Sequence, residues 1–351
     1  MSKFIQLHLL TSYAPSNLNR DDLGRPKTAM MGGTERLRIS SQSLKRNWRI
    51  SDVFQETLQD NLGLRTKRYS KEKIYQRFID SSISQADAAK WSEAIASQLG
   101  KVKNKKEEDK DYMELEQLVH LSPQECSTID NLVSTLITEN REPSKDELTI
   151  LSNKNKAIDI ALFGRMLASS PKYNIEAACQ VAHAISIHPI TVEDDYFTAV
   201  DDLNDGEQDA GASHIGESSY ASAVFYSYIC IDKELLVKNL DDDLELANQT
   251  IAALTKAATT VSPRGKQNSF AARTYASYVM VEKGDEQPRS LSSAFLKSIR
   301  SDDYLQAGID ALKNMRTNFA KVYGSKDYTP YELSVIKGEG SFNELVQFAA
   351  D

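Results

Sequence analysis

The order of elements along this chain argues for an α+β protein whose ferredoxin-like core is interrupted by a helical insertion. Three observations carry that reading. An alternating strand opens the chain, long polar helical segments fill the stretch from about residue 60 to 155, and strands alternate with helices thereafter. The first strand covers residues 3–13 and places Ile5, Leu7 and Leu9 on one face. A polar loop from Pro15 to Thr34 follows, containing Asn19-Arg20-Asp21-Asp22 and Gly32-Gly33. Ser122-Pro-Gln-Glu125 and Ser144-Lys-Asp-Glu147 both read as capping boxes, the first with proline at the first helical position. The run Lys101 to Asp111, with nine of eleven residues charged, reads as an exposed loop.

Strand-like material resumes at 157–166, and 174–188 is ambiguous between helix and strand. Residues 189–222, with Asp205-Gly206, Gly211 and Gly216 among acidic residues, read as a flexible excursion. Val224 to Asp232 is a strand rich in tyrosine and β-branched residues. A helix over 242–261 turns Leu244, Ile251 and Leu254 inward, a basic loop from Pro263 to Phe270 leads into a strand over 275–281, and helices follow near 290–300 and 303–322.

The most informative segment is Arg36 to Arg49. It holds Arg36, Arg38, Lys45, Arg46 and Arg49 without one acidic residue, in a 351-residue chain of net charge -8. Its first part alternates as a half-buried strand does; Ser40 and Ser41 then offer an N-cap, and Leu44, Trp48 and Phe54 mark an apolar helical face. Lys45 and Arg49 are four apart and stack on one side of that helix. A strand that delivers a hydroxyl-rich helix start beside a basic ridge suits phosphates, because free backbone N–H groups point outward there. A solvated basic face is the competing reading.

Composition narrows the classes. Hydrophobic content of 40% with 26% charged residues is that of a globular protein, and the acidic balance argues against generic adhesion to nucleic acid. Cys126, Cys179 and Cys230 lie far apart and form neither a disulfide framework nor a zinc pattern, which points to a reducing compartment. Neither a signal peptide nor a membrane-length apolar run is visible, so a cytoplasmic location is expected. The five histidines, His8, His120, His183, His188 and His214, show no ligand spacing and read as structural. No P-loop or dinucleotide fingerprint occurs. Asp21-Asp22, Glu193-Asp194-Asp195 and Asp201-Asp202 would suit a divalent cation, but loop acids of this kind more often cap or face solvent. No catalytic residue, metal or cofactor is expected.

Binding signal is stronger. Arg20, Arg25 and Lys27 lie in the first loop, and Arg264 and Lys266 in the late one. Tyr196 and Phe197 precede the excursion and would stack on bases or pack in a core. Met166 follows Arg165, where a thioether would wedge against a base or fill an interior gap.

The segments Asn19-Arg-Asp-Asp22, Gly32-Gly33, Arg38-Ile-Ser-Ser-Gln-Ser-Leu-Lys-Arg46, Asp159-Ile-Ala-Leu-Phe-Gly-Arg-Met166, Ala182-His-Ala-Ile185 and Phe197-Thr-Ala-Val-Asp-Asp-Leu203 resemble the CasC family. Those proteins are backbone subunits of type I-E Cascade CRISPR complexes, within the RAMP superfamily. The resemblance implies a palm on a modified RNA-recognition-motif fold (1–60 and 156–351), helical fingers (61–155) and a β-hairpin thumb (189–222). It also implies a guide-RNA grip by Arg20, Lys27, Ser40, Gln42, Lys45, Arg49, Arg165 and Met166, with Tyr196 and Phe197 at the thumb base; Arg46, Arg264 and Lys266 are expected to bind RNA from their place in the basic segments. The partners implied are crRNA, target DNA through guide pairing, head-to-tail copies of the chain, and the CasA, CasB, CasD and CasE subunits. Guide RNA held by its backbone leaves bases free to pair, which needs many phosphate contacts and few base contacts. The alternative is a metal-dependent nuclease, since related type III backbone subunits cut target RNA with an aspartate in the loop where Asp21 and Asp22 lie. The lysine-rich insertion departs from the family pattern.

Overall fold

The computed structural model describes residues 2–103, 109–154, 156–199, 214–324 and 329–351. It is an α+β fold that divides into two compact units, one of residues 1–54, 180–231 and 251–351, the other of 55–179 and 232–250.

The first unit is built on a sheet. Its strands run in the spatial order Thr329–Ser334, Tyr278–Gly284, Phe4–Ser16, His214–Asp232, Ala184–Ser186, Thr34–Ile39 and Thr28–Met31, with Cys179–Val181 and Glu193–Ala199 also pairing with His214–Asp232. The inner four, 278–284, 4–16, 214–232 and 184–186, stand in chain order fourth, first, third, second. Helix Ser41–Arg49 follows the first of them and helix Leu244–Thr260 precedes the last, which makes the βαββαβ path of a ferredoxin-like fold.

The opening strand differs from the expected one-faced pattern. Ile5 through Leu10 are all buried, Gln6 and His8 included, because both sheet faces are covered. On one face Leu10, Ile187, Val224, Tyr226, Tyr278 and Met280 pack under Leu291, Phe295 and the Ile309 and Leu312 side chains of helix Tyr304–Tyr323. His8 and Glu282 meet in this interior at 3.2 Å. Glu282 also receives Arg289 Nη1 at 3.0 Å and Arg316 Nε at 2.7 Å, so a buried carboxylate is compensated by two guanidinium groups. Tyr226 Oη closes the network on His8 Nδ1 at 2.9 Å.

Helix Leu244–Thr260 buries Ile251 and Leu254 as expected, but Leu244, at its first position, is exposed. The stretch 290–300 holds only the short 3-10 turn Ser292–Phe295. Strand Thr329–Ser334 and helix Phe342–Ala350 complete the unit beyond the expected elements.

The second unit is mainly helical. Its core gathers Ile74, Phe78, Trp91, Ile95, Leu99, Leu115, Ile129, Val133 and Leu136. Helix Pro123–Glu139 starts at the predicted capping box, Ser122 accepting from Glu125 N–H while the Glu125 carboxylate accepts from Ser122 N–H. Ser144 and Glu147 form the same reciprocal bonds, yet they close a turn with no helix after it. There Arg141 forks onto both Glu147 oxygens, at 2.8 and 2.7 Å.

Residues 157–166 are a helix, Ile158–Phe163, rather than the expected strand. A short apolar run buried all round does not declare its period, and Gly164, at φ +80°, ends the turn. Polar ties hold this segment within the helical unit, whose boundary therefore falls after the expected residue 155. Asp159 accepts from Gly63 N–H and lies 2.8 Å from His120 Nε2, and Asn239 Nδ2 donates to the Ala161 and Glu176 carbonyls. Among the described residues no helix is long and apolar enough to cross a membrane.

Candidate nucleic-acid interface

The helix Ser41–Arg49 forms as its sequence dictates. Ser40, extended at φ -68° and ψ 145°, accepts from Ser43 N–H at 3.3 Å and supplies the N-cap. Leu44, Asn47 and Trp48 are buried at helical spacing and seat the helix on the sheet. Gln42 and Arg46 are exposed, and Lys45 and Arg49 are partly exposed. The first turn holds no acid and the last turn holds Arg46 and Arg49, the cations that a helix C-terminus favours.

Strand Thr34–Ile39 reaches this helix from a tight hairpin with Thr28–Met31. Its two-residue loop, Gly32-Gly33, has φ +60° and +73°, the mirror-image turn that strand twist favours. A Cβ on Gly32 would stand 1.7 Å from the Leu296 carbonyl oxygen, so glycine is required there.

One cation of the segment leaves the surface and a second, partly exposed, is engaged by its neighbours. Arg36 is fully buried and donates to the Ser186 and Phe295 carbonyls at 2.8 and 3.0 Å. Arg38 is turned to the Thr28 carbonyl and to His183 Nδ1 at 3.1 Å. The ridge on the helix is Lys45, Arg46 and Arg49, with Arg38 partly exposed on the strand before it.

The first loop is fastened to that helix start. Asn19 Oδ1 accepts from Ser40 N–H at 2.9 Å, Lys27 N–H donates to the Asn19 carbonyl, and Arg38 N–H donates to the Lys27 carbonyl. These bonds bring Lys27, Ser40 and Gln42 to one edge, with exposed Arg20 bridging Pro26 beside them. Asp21 Oδ1 accepts from Leu23 N–H and Arg25 N–H, at 3.0 and 2.9 Å, and so braces its own turn. Arg25 meets Asp194 on strand Glu193–Ala199 at 3.4 Å.

The late loop joins the same helix at its other end. Asn47 Oδ1 accepts from Arg264 N–H, and Arg264 Nη2 donates to the Ile50 carbonyl, both at 3.2 Å. Lys266 is partly exposed in that loop. Arg273 and Tyr275, both exposed on the same loop, were not singled out from the sequence; an arginine and a tyrosine just past Arg264 and Lys266 were the available signal.

Strand Glu193–Ala199 pairs antiparallel with His214–Asp232, from Glu193 opposite Tyr220 to Ala199 opposite His214. These are the arms of the expected hairpin; residues 200–213 lie outside the described residues. Tyr196 and Phe197 are exposed, and the Phe197 ring covers Gly216, where any Cβ would come within 2.3 Å of it.

Arg165 corrects the expectation set for it. Its side chain is 1% exposed, paired with Glu125 at 2.6 Å, and donates to the His120, Ser152 and Tyr173 carbonyls. A guanidinium so enclosed holds the helical unit together and is not offered to a phosphate. Met166, its neighbour, is 82% exposed and remains available for contact.

The site is thus a serine-capped basic helix carried on a ferredoxin-like sheet. The chain belongs to the CT1975-like protein family, whose model matches residues 5–348. It is similar to a chain of a solved CRISPR RNA-guided surveillance complex, pre-nicking, at 28% identity and TM-score 0.85, covering 99% of both chains. A chain of a second CRISPR RNA-guided surveillance complex shares the fold at 24% identity and TM-score 0.62, over 99% of this chain and 98% of that one. Among curated proteins no relative matches. The motif resemblance to Cascade backbone subunits is borne out by these findings.

Proposed function

We propose that the chain is a non-catalytic backbone subunit of a CRISPR surveillance complex, polymerising along crRNA and presenting it for pairing with target DNA. In this reading the sheet unit is the palm, the helical unit the fingers, and the 193–199/214–220 hairpin the base of a thumb that reaches a neighbouring copy. Copies pack head to tail in a contact that does not close on itself, and CasA, CasB, CasD and CasE complete the assembly. The observation that carries the reading is the helix Ser41–Arg49. An acidic chain keeps Lys45, Arg46 and Arg49 on one short helix whose first turn holds no acid, and the bonds that Ser40 and Lys27 make to Asn19 bring Lys27 to the start of that helix. Backbone amides and cations so placed hold phosphates without reading bases.

The test is the affinity for guide RNA across a salt series, by fluorescence anisotropy, for the Lys45→Ala/Arg49→Ala protein. The log–log slope should flatten by roughly one to two units, close to one per lost phosphate contact. Folding should survive, since the buried positions of this helix are Leu44, Asn47 and Trp48. Unaltered affinity and slope would leave only a solvated face.

A further inference from the structure

Between the end of helix Ser41–Arg49 and the late loop lies a cavity of about 730 Å³, entirely within the sheet unit. Ser51, Asp52, Arg264, Arg273, Thr274 and Tyr275 line it. We propose that this groove takes one nucleotide of single-stranded RNA, its phosphate between the Arg264 and Arg273 guanidinium groups and its base on the Tyr275 ring. The inference rests on the guide-RNA reading and extends it to a site beyond the basic helix.

Four observations carry it. The groove continues the basic ridge, because Arg264 is bonded to Asn47 and Ile50 at the helix end that bears Arg46 and Arg49. The Arg264 fork spends one nitrogen on the Ile50 carbonyl and keeps other donors, while Arg273 has no hydrogen bond or ion pair from its guanidinium among the described residues. Tyr275 is 69% exposed at the rim of the groove, so its ring is open to a stacking base. The loop is held in a strained form. Lys266 and Ala271 both adopt left-handed φ, at +49° and +48°, on either side of the turn Gln267–Phe270. Gly265 lets that turn approach the first loop, since a Cβ there would stand 2.2 Å from the Leu18 carbonyl oxygen.

The chemistry selects the ligand. Two guanidinium groups match a phosphodiester, and one aromatic face accepts any base, so the site is sequence-tolerant. The single carboxylate, Asp52, leaves a net positive lining and is an acceptor suited to a ribose 2′-hydroxyl, which deoxyribose lacks.

The experiment uses the full chain and a short single-stranded RNA oligonucleotide, titrated by anisotropy over a salt series. Arg273→Ala should weaken binding and flatten the salt slope by roughly one unit. Tyr275→Ala should weaken binding about five- to tenfold with the slope unchanged, and Tyr275→Phe should bind as wild type. RNA carrying 4-thiouridine should photo-crosslink to the 260–275 segment. If Lys45→Ala/Arg49→Ala loses affinity while both Arg273→Ala and Tyr275→Ala bind as wild type, this groove is not on the RNA path and the guide-RNA reading stands. If none of these variants changes binding, that reading falls and the groove with it.

Discussion

The carboxamide oxygen of Asn19 accepts the Ser40 N–H at 2.9 Å, tying the loop that carries Arg20 and Lys27 to the residue that caps the basic helix. Replacing Asn19 by Ala should cost about 1 kcal/mol of stability and weaken RNA binding, because the loop cations lose their register with the helix start. Asn19→Asp, which keeps the acceptor, should restore stability. Urea unfolding and anisotropy check both; an alanine variant equal to wild type in each would refute the coupling.

Arg165 and Glu125 form the buried pair of the helical unit, and Glu125 also accepts from Ser122 and Ser152 N–H. Arg165→Ala should destabilise by about 3–5 kcal/mol, since it strands a buried carboxylate. RNA affinity of the folded protein should be unchanged. A stable Arg165→Ala variant with lowered affinity would return this side chain to the phosphate grip.

Acid should destabilise the sheet unit through two groups. Burial pushes His8 below its ordinary value of 6.5, so the unfolded chain takes up a proton there that the folded chain refuses, and stability falls as pH drops through 6.5. Burial alone would raise the Glu282 carboxyl, but hydrogen bonds from His8 and Arg289 outweigh it and hold the group down to about 2, below its ordinary 4.5. Its contribution is present above 4.5 and is lost as pH falls towards 2. Unfolding free energy measured by urea should therefore decline from pH 7 to pH 4 and steepen below. In Glu282→Gln the steep lower limb should vanish; a flat wild-type profile would dismiss both groups.

Asp21 spends one carboxylate oxygen on its own turn, and Asp22 is exposed beside it. The assembled complex given labelled complementary RNA and magnesium should show no cleavage that Asp21→Ala/Asp22→Ala abolishes. Cleavage lost in that double variant would promote the nuclease alternative. The double variant should bind target as wild type does, with some loosening of the loop from loss of the Asp21 brace.

Local chemistry was legible wherever neighbours in sequence are neighbours in space. The N-cap at Ser40, the capping box of Ser122 and Glu125, and the stripe of Leu44 and Trp48 each follow from residues within a few positions of one another, and the strand through 224–232 from its local run of tyrosine and β-branched residues. The fold class followed from their order. What the tertiary structure alone decided was the fate of individual charges and ambiguous runs. Arg36 and Arg46 look alike in sequence, yet Arg36 is interior because carbonyls 150 and 259 residues away converge on it. Arg165 is likewise consumed by Glu125, 40 residues distant. The run 158–163 is equally apolar as helix or strand; ties from Gly63, His120 and Asn239 place it in the helical unit. A guanidinium costs too much to bury alone, so only the arrival of distant acceptors determines which arginines remain at the surface.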